Sequence, residues 1–600
     1  MTESEAQRAQ GSVTLRGIPG SPGVAVGPAF VLSNVRAQQH PRRTVQPGEE
    51  ASEVQRFHAA ILLAKDTLRE VSARITGPAV DTTAILEAYL LMLGDPLLTA
   101  KVEGKITDER KCVEWAVAAA AEEIAQAFGD PADRDAYIVE RRHDVHFVCD
   151  RLLRALAGPS AIATPRFDQP TIVVGHDLSP ADTAGMVKEP VRGFITEVGS
   201  RTSHTSIMAR ALEIPAVVGA SAALAHIRTG DTVIVDGLAG TITVNPTEDE
   251  LRVALGRAQR HLNFAKELLS SKDELPRTRC GVPIQIKANV ELPAEAILAV
   301  DHGAQGVGLY RTEFLYIDRA SMPTEDEQYQ VYRAVLEALS PRPVTLRTFD
   351  IGGDKFASSF QLPAELNPAL GLRAIRLALS QPEVFMTQLR AMVRASAHGD
   401  LRIMVPMVTI VPEMRAVRTL LDQAIADVKR AGHPQAAKIP LGMMIEVPAA
   451  ALMVDVFATV AEFFSLGTND LVQYALAIDR SNESLAQLAS PLDPSILRLI
   501  AGVVQGSGRH DVPLSICGAM ASEPLAACLL VGLGLRELSM EAAAIPEIKE
   551  ALRRVTLAEV RVLADKALTC ESSEDVTALL HQALGERMAD LIAGVTEEVL

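Results

Sequence analysis

A chain of 600 residues is too long for one hydrophobic core and implies about three or four domains. Its net charge of −17 argues against nucleic acid or an anionic membrane as partner and leaves room for a basic protein. Cys112, Cys149, Cys280, Cys517, Cys528 and Cys570 are scattered without CxxC or zinc spacing, which excludes a disulfide framework or a structural zinc.

The amino terminus, MTESEAQRAQ, has no apolar signal core, and no later run is long enough to span a bilayer, so a cytoplasmic protein is expected. GIPGSPGVAVGPAF, from Gly17, reads as turns around one short strand ending near Leu32. From about Glu49 to Leu156 Gly and Pro become sparse. Apolar residues there fall at helical spacing, as with Val54, Phe57, Ile61 and Leu68, which predicts a helical bundle closed by the turn at Gly158. Between Thr171 and Val244 the segments TIVV, GFIT, PAVVG, DTVIVDG and TITV predict a compact α/β unit. A charged helix from Glu248 to about Lys272 follows as a connector and hinge region. Beyond Pro276 eight strand candidates alternate with helices: PIQIKAN, GVGLYR, VTLRTFD, RIMVP, GMMIEVP, FFSLGTND, LSICGA and LRELSM. That length and alternation suit a (β/α)8 barrel, with an open doubly wound sheet as the alternative. The expected division is 1–35 and 159–246 for the α/β part, 36–158 for the bundle, 247–275 for the linker and 276–600 for the barrel.

Chemistry concentrates in two places. VGSRTSHTSIMAR, from Val198 to Arg210, sets His204 among hydroxyls and guanidinium groups at a helix start, which suits a phosphorylated imidazole. A structural histidine on a helix capped by Thr202 or Ser203 is the bland alternative, with Ile207, Met208 and Leu212 on the buried face. The second place is the set of barrel-strand ends, where apolar runs give way to Asn289, Arg311, Arg347, Glu446, Asn469 with Asp470, and Cys517. Arg311 and Arg347, with Arg373 and Arg480 as additions, can clamp a phosphate by bidentate hydrogen bonds. Glu446 and Asp470 suit a hard divalent ion such as Mg2+ or simply neutralise the arginines. Cys517 is either a buried core thiol or a proton donor. The glycine-rich DIGGDK from Asp350 lacks the Walker pattern and reads only as an anion-accommodating turn.

Taken in order, SPGVAVG at Ser21, the His204 segment, GVGLYRTEFL at Gly306, RTFDIGGDK at Arg347, EFFSLGTNDLVQYALAIDR at Glu462 and ICGAM at Ile516 resemble enzyme I of the bacterial phosphotransferase system. This resemblance covers nearly the whole chain. It implies a cytoplasmic, Mg2+-dependent homodimer, paired through the barrel, that moves the phosphoryl group of phosphoenolpyruvate to its own histidine and then to a small histidine-containing phosphocarrier protein, releasing pyruvate. Residue by residue it implies His204 as the phosphohistidine and Arg311, Arg347, Asn469 and Arg480 as substrate contacts. Glu446 and Asp470 would be the metal ligands and Cys517 the proton donor to enolpyruvate. The helical domain, near Leu86 to Asp95, would dock the carrier. One departure is Ser200, where the family commonly has glycine; a positive φ there would cost about 1 kcal/mol. ATP-dependent phosphoenolpyruvate synthases and pyruvate phosphate dikinases are the rival enzyme class, and a non-catalytic carrier-binding scaffold is the rival outside enzymes.

Overall fold

In the computed structural model the described residues are 12–32, 41–74, 89–90, 92–127, 136–158, 162, 167–178, 182, 190–199, 203–211, 214–291, 293–316, 321–352, 367–479, 485 and 488–592. They form two compact units dividing between Phe264 and Ala265.

The first unit carries a mixed sheet. Its strands are β1 (Val13–Arg16), β2 (Ile18–Ser21), β3 (Val24–Val31), β4 (Thr171–Gly175), β5 (Val191–Thr196), β6 (Ala216–Val218), β7 (Thr232–Asp236) and β8 (Thr241–Val244), in spatial order β1-β8-β7-β3-β4-β5-β6-β2. Strands β3 to β6 run parallel, and the other pairings are antiparallel. The amino-terminal stretch therefore supplies three strands where one is expected. Glycine makes this compatible with such short runs: at Gly17 an added Cβ would lie 2.6 Å from Val217 Cγ1, and Gly23 takes φ +115 between β2 and β3. β4 and β6 are buried along their whole length, which explains why they read as continuous apolar runs and not as alternation.

Four helices, Glu50–Arg74, Pro96–Thr107, Val113–Ala127 and Ala136–Ala157, meet expectation for the bundle. Phe57, Leu68, Val102, Val117 and Leu152 are fully buried in its core. Asp95 caps the second of these helices, its Oδ1 accepting from the Leu97 backbone N–H at 2.7 Å. Of the stretch from Leu86 to Asp95 expected to dock a carrier, residues 86–88 and 91 lie outside the described residues. The charged connector forms a helix over Glu248–Ser270.

The second unit is built on eight parallel strands: β9 (Gln285–Val290), β10 (Val307–Tyr310), β11 (Val344–Arg347), β12 (Leu401–Val405), β13 (Leu441–Ile445), β14 (Phe464–Leu466), β15 (Leu514–Ile516) and β16 (Glu537–Met540). Each pairs with the next in sequence, and β16 pairs with β9, so the barrel is closed. All eight expected strands are present, and the open-sheet alternative falls. Helices such as Glu325–Leu339, Pro382–Ala395 and Val411–Arg430 fill the crossovers.

Candidate active site

The seven strand-end residues singled out in the sequence stand at the carboxyl ends of barrel strands or just past them, where enzymes of this architecture place their chemistry. Arg347 ends β11, Arg311 follows β10, Glu446 follows β13 and Cys517 follows β15. Asn469 and Asp470 occupy the first turn of the helix Thr468–Leu476 after β14, and Asn289 is the penultimate residue of β9.

Arg347 is held on two sides. Its Nη2 donates to Glu313 Oε1 at 2.9 Å, and its Nη1 lies 3.3 Å from Asp350 Oδ2. Asp350 is shared: Arg373 donates to it through Nε at 3.1 Å and through Nη2 at 2.9 Å. The same Arg373 reaches the Tyr474 hydroxyl through Nη1 at 3.2 Å, and this nitrogen lies 3.9 Å from Asp470 Oδ1. Burial disfavours the Arg347 charge, but Glu313, Asp350, Glu446 and Asp470 outweigh it and keep the guanidinium protonated. The Arg347 Nε is buried without a partner. A guanidinium pinned by carboxylates at two nitrogens, with a third unmet, is oriented to receive an anion. Arg311 pairs with Glu291 and is half-exposed.

Glu446 is buried, and its Oε1 accepts from the Met407 backbone N–H at 2.6 Å. Burial, then the neighbouring Asp470 and Asp350 charges, push its carboxyl up to about 8. Asp470 Oδ1 is buried and has no hydrogen-bond partner. Two carboxylates brought together without enough counter-charge, one with an orphaned oxygen, fit a hard divalent cation that takes its remaining ligands from substrate and water. Glycine makes room here. An added Cβ at Gly467 would lie 2.9 Å from Glu446 Oε2, and one at Gly518 would lie 1.7 Å from Thr468 Oγ1.

Cys517 is a buried thiol. It packs among Leu309, Met404, Met444 and Phe463, and burial raises its pKa to about 11, so the sulfur keeps its proton at neutral pH. Ser465 Oγ donates to its Sγ at 3.4 Å. Its carbonyl accepts from Asn289 Nδ2 at 2.9 Å, and Asn289 Oδ1 accepts from Ser539 Oγ at 2.7 Å. Asn469 Oδ1 accepts from the Ala519 backbone N–H at 3.1 Å. Arg480 lies outside the described residues, as do residues 353–366 of the glycine-rich turn.

In the first unit, His204 opens the helix His204–Ala211 in the connection after β5, as its motif predicts. Of this helix, Thr205, Ser206 and Ala209 are buried and Met208 is half-buried. Small side chains are selected because β2 approaches closely, an added Cβ at Gly20 lying 3.0 Å from Ser206 Oγ. Arg210 Nη1 donates to the Gly20 carbonyl at 2.9 Å, so this arginine ties the helix to the sheet. Ser203 Oγ donates to Ser206 Oγ at 3.3 Å, and Gly199 in the preceding loop takes φ +120. Ser200, Thr202 and Leu212 lie outside the described residues, as does the side chain of Ile207.

Glu313, Asp350, Tyr474 and the Met407 N–H are the site groups that strand-end reasoning missed. Only Asp350 had a visible signal, three residues after Arg347 in RTFDIGGDK.

Residues 266–557 match the PEP-binding domain of PEP-utilising enzymes, 16–141 the N-terminal domain and 167–240 the mobile domain. The phosphoenolpyruvate-protein phosphotransferase of Staphylococcus aureus is 40% identical over 576 residues, covering 95% of this chain and 99% of that one. The chain belongs to the phosphoenolpyruvate-protein phosphotransferase family. A second member, from Bacillus sp. (strain S), is 39% identical over 570 residues, covering 95% of this chain and 98% of its own. The Staphylococcus carnosus phosphotransferase is 38% identical over 569 residues, again covering 95% of this chain. The PEP-binding domain match spans the barrel, and family membership removes the ATP-dependent rivals. Among the described residues, no helix is long and apolar enough to cross a membrane.

Proposed function

We propose that this phosphoenolpyruvate–protein phosphotransferase moves the phosphoryl group from phosphoenolpyruvate to His204, and then to a small histidine-containing phosphocarrier protein in the cytoplasm. The observation that carries the reading is the pinned Arg347 with its unmet Nε beside the Glu446 and Asp470 carboxylates. Arg347 and Arg311 bind the substrate phosphate, with Arg373 and Arg480 completing the positive field, and Asn469 contacts the substrate. Glu446 and Asp470 hold Mg2+, which when bound neutralises charge on the phosphate and carboxylate. His204 attacks phosphorus in line as the neutral imidazole: the P–N bond forms as the bond to the bridging oxygen breaks. Positioning and electrostatics suffice for such a loose transition state. The departing enolate takes a proton on carbon from Cys517, giving pyruvate, and solvent restores the thiol. We read the barrel as the dimerising part and the helical bundle as the carrier dock.

The test is incubation with phosphate-labelled phosphoenolpyruvate and Mg2+. Acid-labile, base-stable label is expected on the wild-type chain and on added carrier, and none on His204→Ala. Full labelling of His204→Ala sinks the assignment.

A further inference from the structure

At the opposite end of the barrel, where the strands begin, the helix Val411–Arg430, the loop 431–440 and Glu462 just ahead of β14 enclose a cleft of about 590 Å³. That is the size of an ordinary small-molecule site. Cationic side chains converge on it. Arg418 and Lys429 come from the helix, Lys438 from the loop. Glu462 accounts for two of them: Arg418 Nη2 donates to it at 2.9 Å and Lys438 Nζ lies 2.9 Å away. It also accepts the Leu441 backbone N–H at 2.8 Å, which fixes the carboxylate at the start of β13. Lys429 and His433 are exposed to the cleft and have no ion-pair partner among the described residues.

The remaining lining completes the description of a ligand. Gln435 Oε1 is buried without a hydrogen-bond partner, a cost that a ligand hydroxyl would remove whichever way the amide is turned. Ile425 and Ile439 supply an apolar wall for a carbon skeleton. The loop is anchored, with the Ala436 N–H donating to Ser396 Oγ at 2.9 Å and the His433 N–H to the Val428 carbonyl at 3.2 Å. An uncompensated ammonium and imidazole select an anion, and the amide selects a hydroxylated one.

We propose that this cleft binds a small hydroxylated phosphomonoester, its phosphate against Lys429 and His433 and a hydroxyl against Gln435, apart from the phosphoenolpyruvate site at the mouth.

Equilibrium dialysis of the full chain against labelled glucose 6-phosphate, and separately against labelled AMP, tests this and distinguishes a sugar from a nucleoside as the hydroxylated part. Saturable binding of at least one ester is expected. It should weaken about tenfold or more in the double variant Lys429→Ala/His433→Ala and in Gln435→Leu, each of which removes one of the inferred polar contacts. Self-phosphorylation by phosphoenolpyruvate should be retained in both variants, which shows that they fold. The proposal is overturned if neither ester binds saturably, if both variants bind as the wild type does, or if phosphoenolpyruvate displaces the ester and so assigns it to the mouth.

Discussion

Replacing Asp350 by Asn keeps the shape of the side chain and removes the charge that Arg347 and Arg373 share. Asp350 Oδ1 accepts from Arg373 Nε at 3.1 Å and Nη2 at 2.9 Å, while Oδ2 accepts from the same Nη2 at 2.9 Å and lies 3.3 Å from Arg347 Nη1. Burial works against the Asp350 carboxylate, but the two guanidinium groups outweigh it and hold its pKa below the ordinary range. An amide presents one N–H2 donor group to this set of donors, so two buried cations lose their counter-ion. Breaking a buried ion pair by removing one partner costs about 3–5 kcal/mol. Glu313 still pairs with Arg347, and Asp470 still lies 3.9 Å from Arg373, which brings the expectation down to roughly 2–4 kcal/mol. For a unit of this size that corresponds to a fall of roughly 3–6 °C in the midpoint of barrel unfolding. With Arg347 no longer pinned, KM for phosphoenolpyruvate should rise about tenfold or more. Calorimetry and a pyruvate-release assay read the two effects. A midpoint within about 1 °C of wild type together with an unchanged KM would refute the idea that Asp350 orders the arginines.

Gly518→Ala sets a methyl 1.7 Å from Thr468 Oγ1 and 2.9 Å from the Thr468 backbone nitrogen, so the helix start carrying Asn469 and Asp470 must shift. Loss of most pyruvate release is expected with a stability cost of about 1–3 kcal/mol, and near-normal turnover would show that the strand-end geometry tolerates such a shift. The thiols separate by environment. Cys280 is exposed, and the Leu557 backbone N–H and the Thr278 hydroxyl lower its pKa, whereas burial raises Cys517 to about 11. Thiolate forms as pH rises through the pKa, so iodoacetamide at pH 8 should label Cys280 well before Cys517 and the still more deeply buried Cys528, as peptide mass spectrometry would reveal. Equal labelling of Cys280 and Cys517 would contradict a buried, protonated Cys517.

The barrel was legible because parallel strands covered on both faces are nearly continuous apolar runs, most of them giving way at the carboxyl end to a polar or reactive residue. That logic found Arg311, Arg347, Glu446, Asp470 and Cys517. It missed Glu313 and Asp350, because which carboxylate meets which guanidinium depends on neighbouring strands and not on spacing along one. The Met407 N–H that holds Glu446 was invisible for a related reason: a backbone donor carries no residue signature, and Met407 takes φ +58. The amino-terminal strands were under-read since runs of four residues containing Pro19 and Gly20 look like turns. They become strands only through partners more than 190 positions away, Ile18 opposite Val218 and Val13 opposite Val244.

Asn289 joins the first barrel strand to the last two: its Nδ2 reaches the Cys517 carbonyl, 228 positions along the chain, and its Oδ1 takes the Ser539 hydroxyl, 250 positions along. During synthesis Asn289 emerges early and waits for most of the unit before either partner exists. Contacts of such high sequence separation are slow to form. The surroundings of Cys517 are thus stitched by the last seam to close, and turnover in a nascent or refolding sample reports that closure, whereas secondary structure registers long before it.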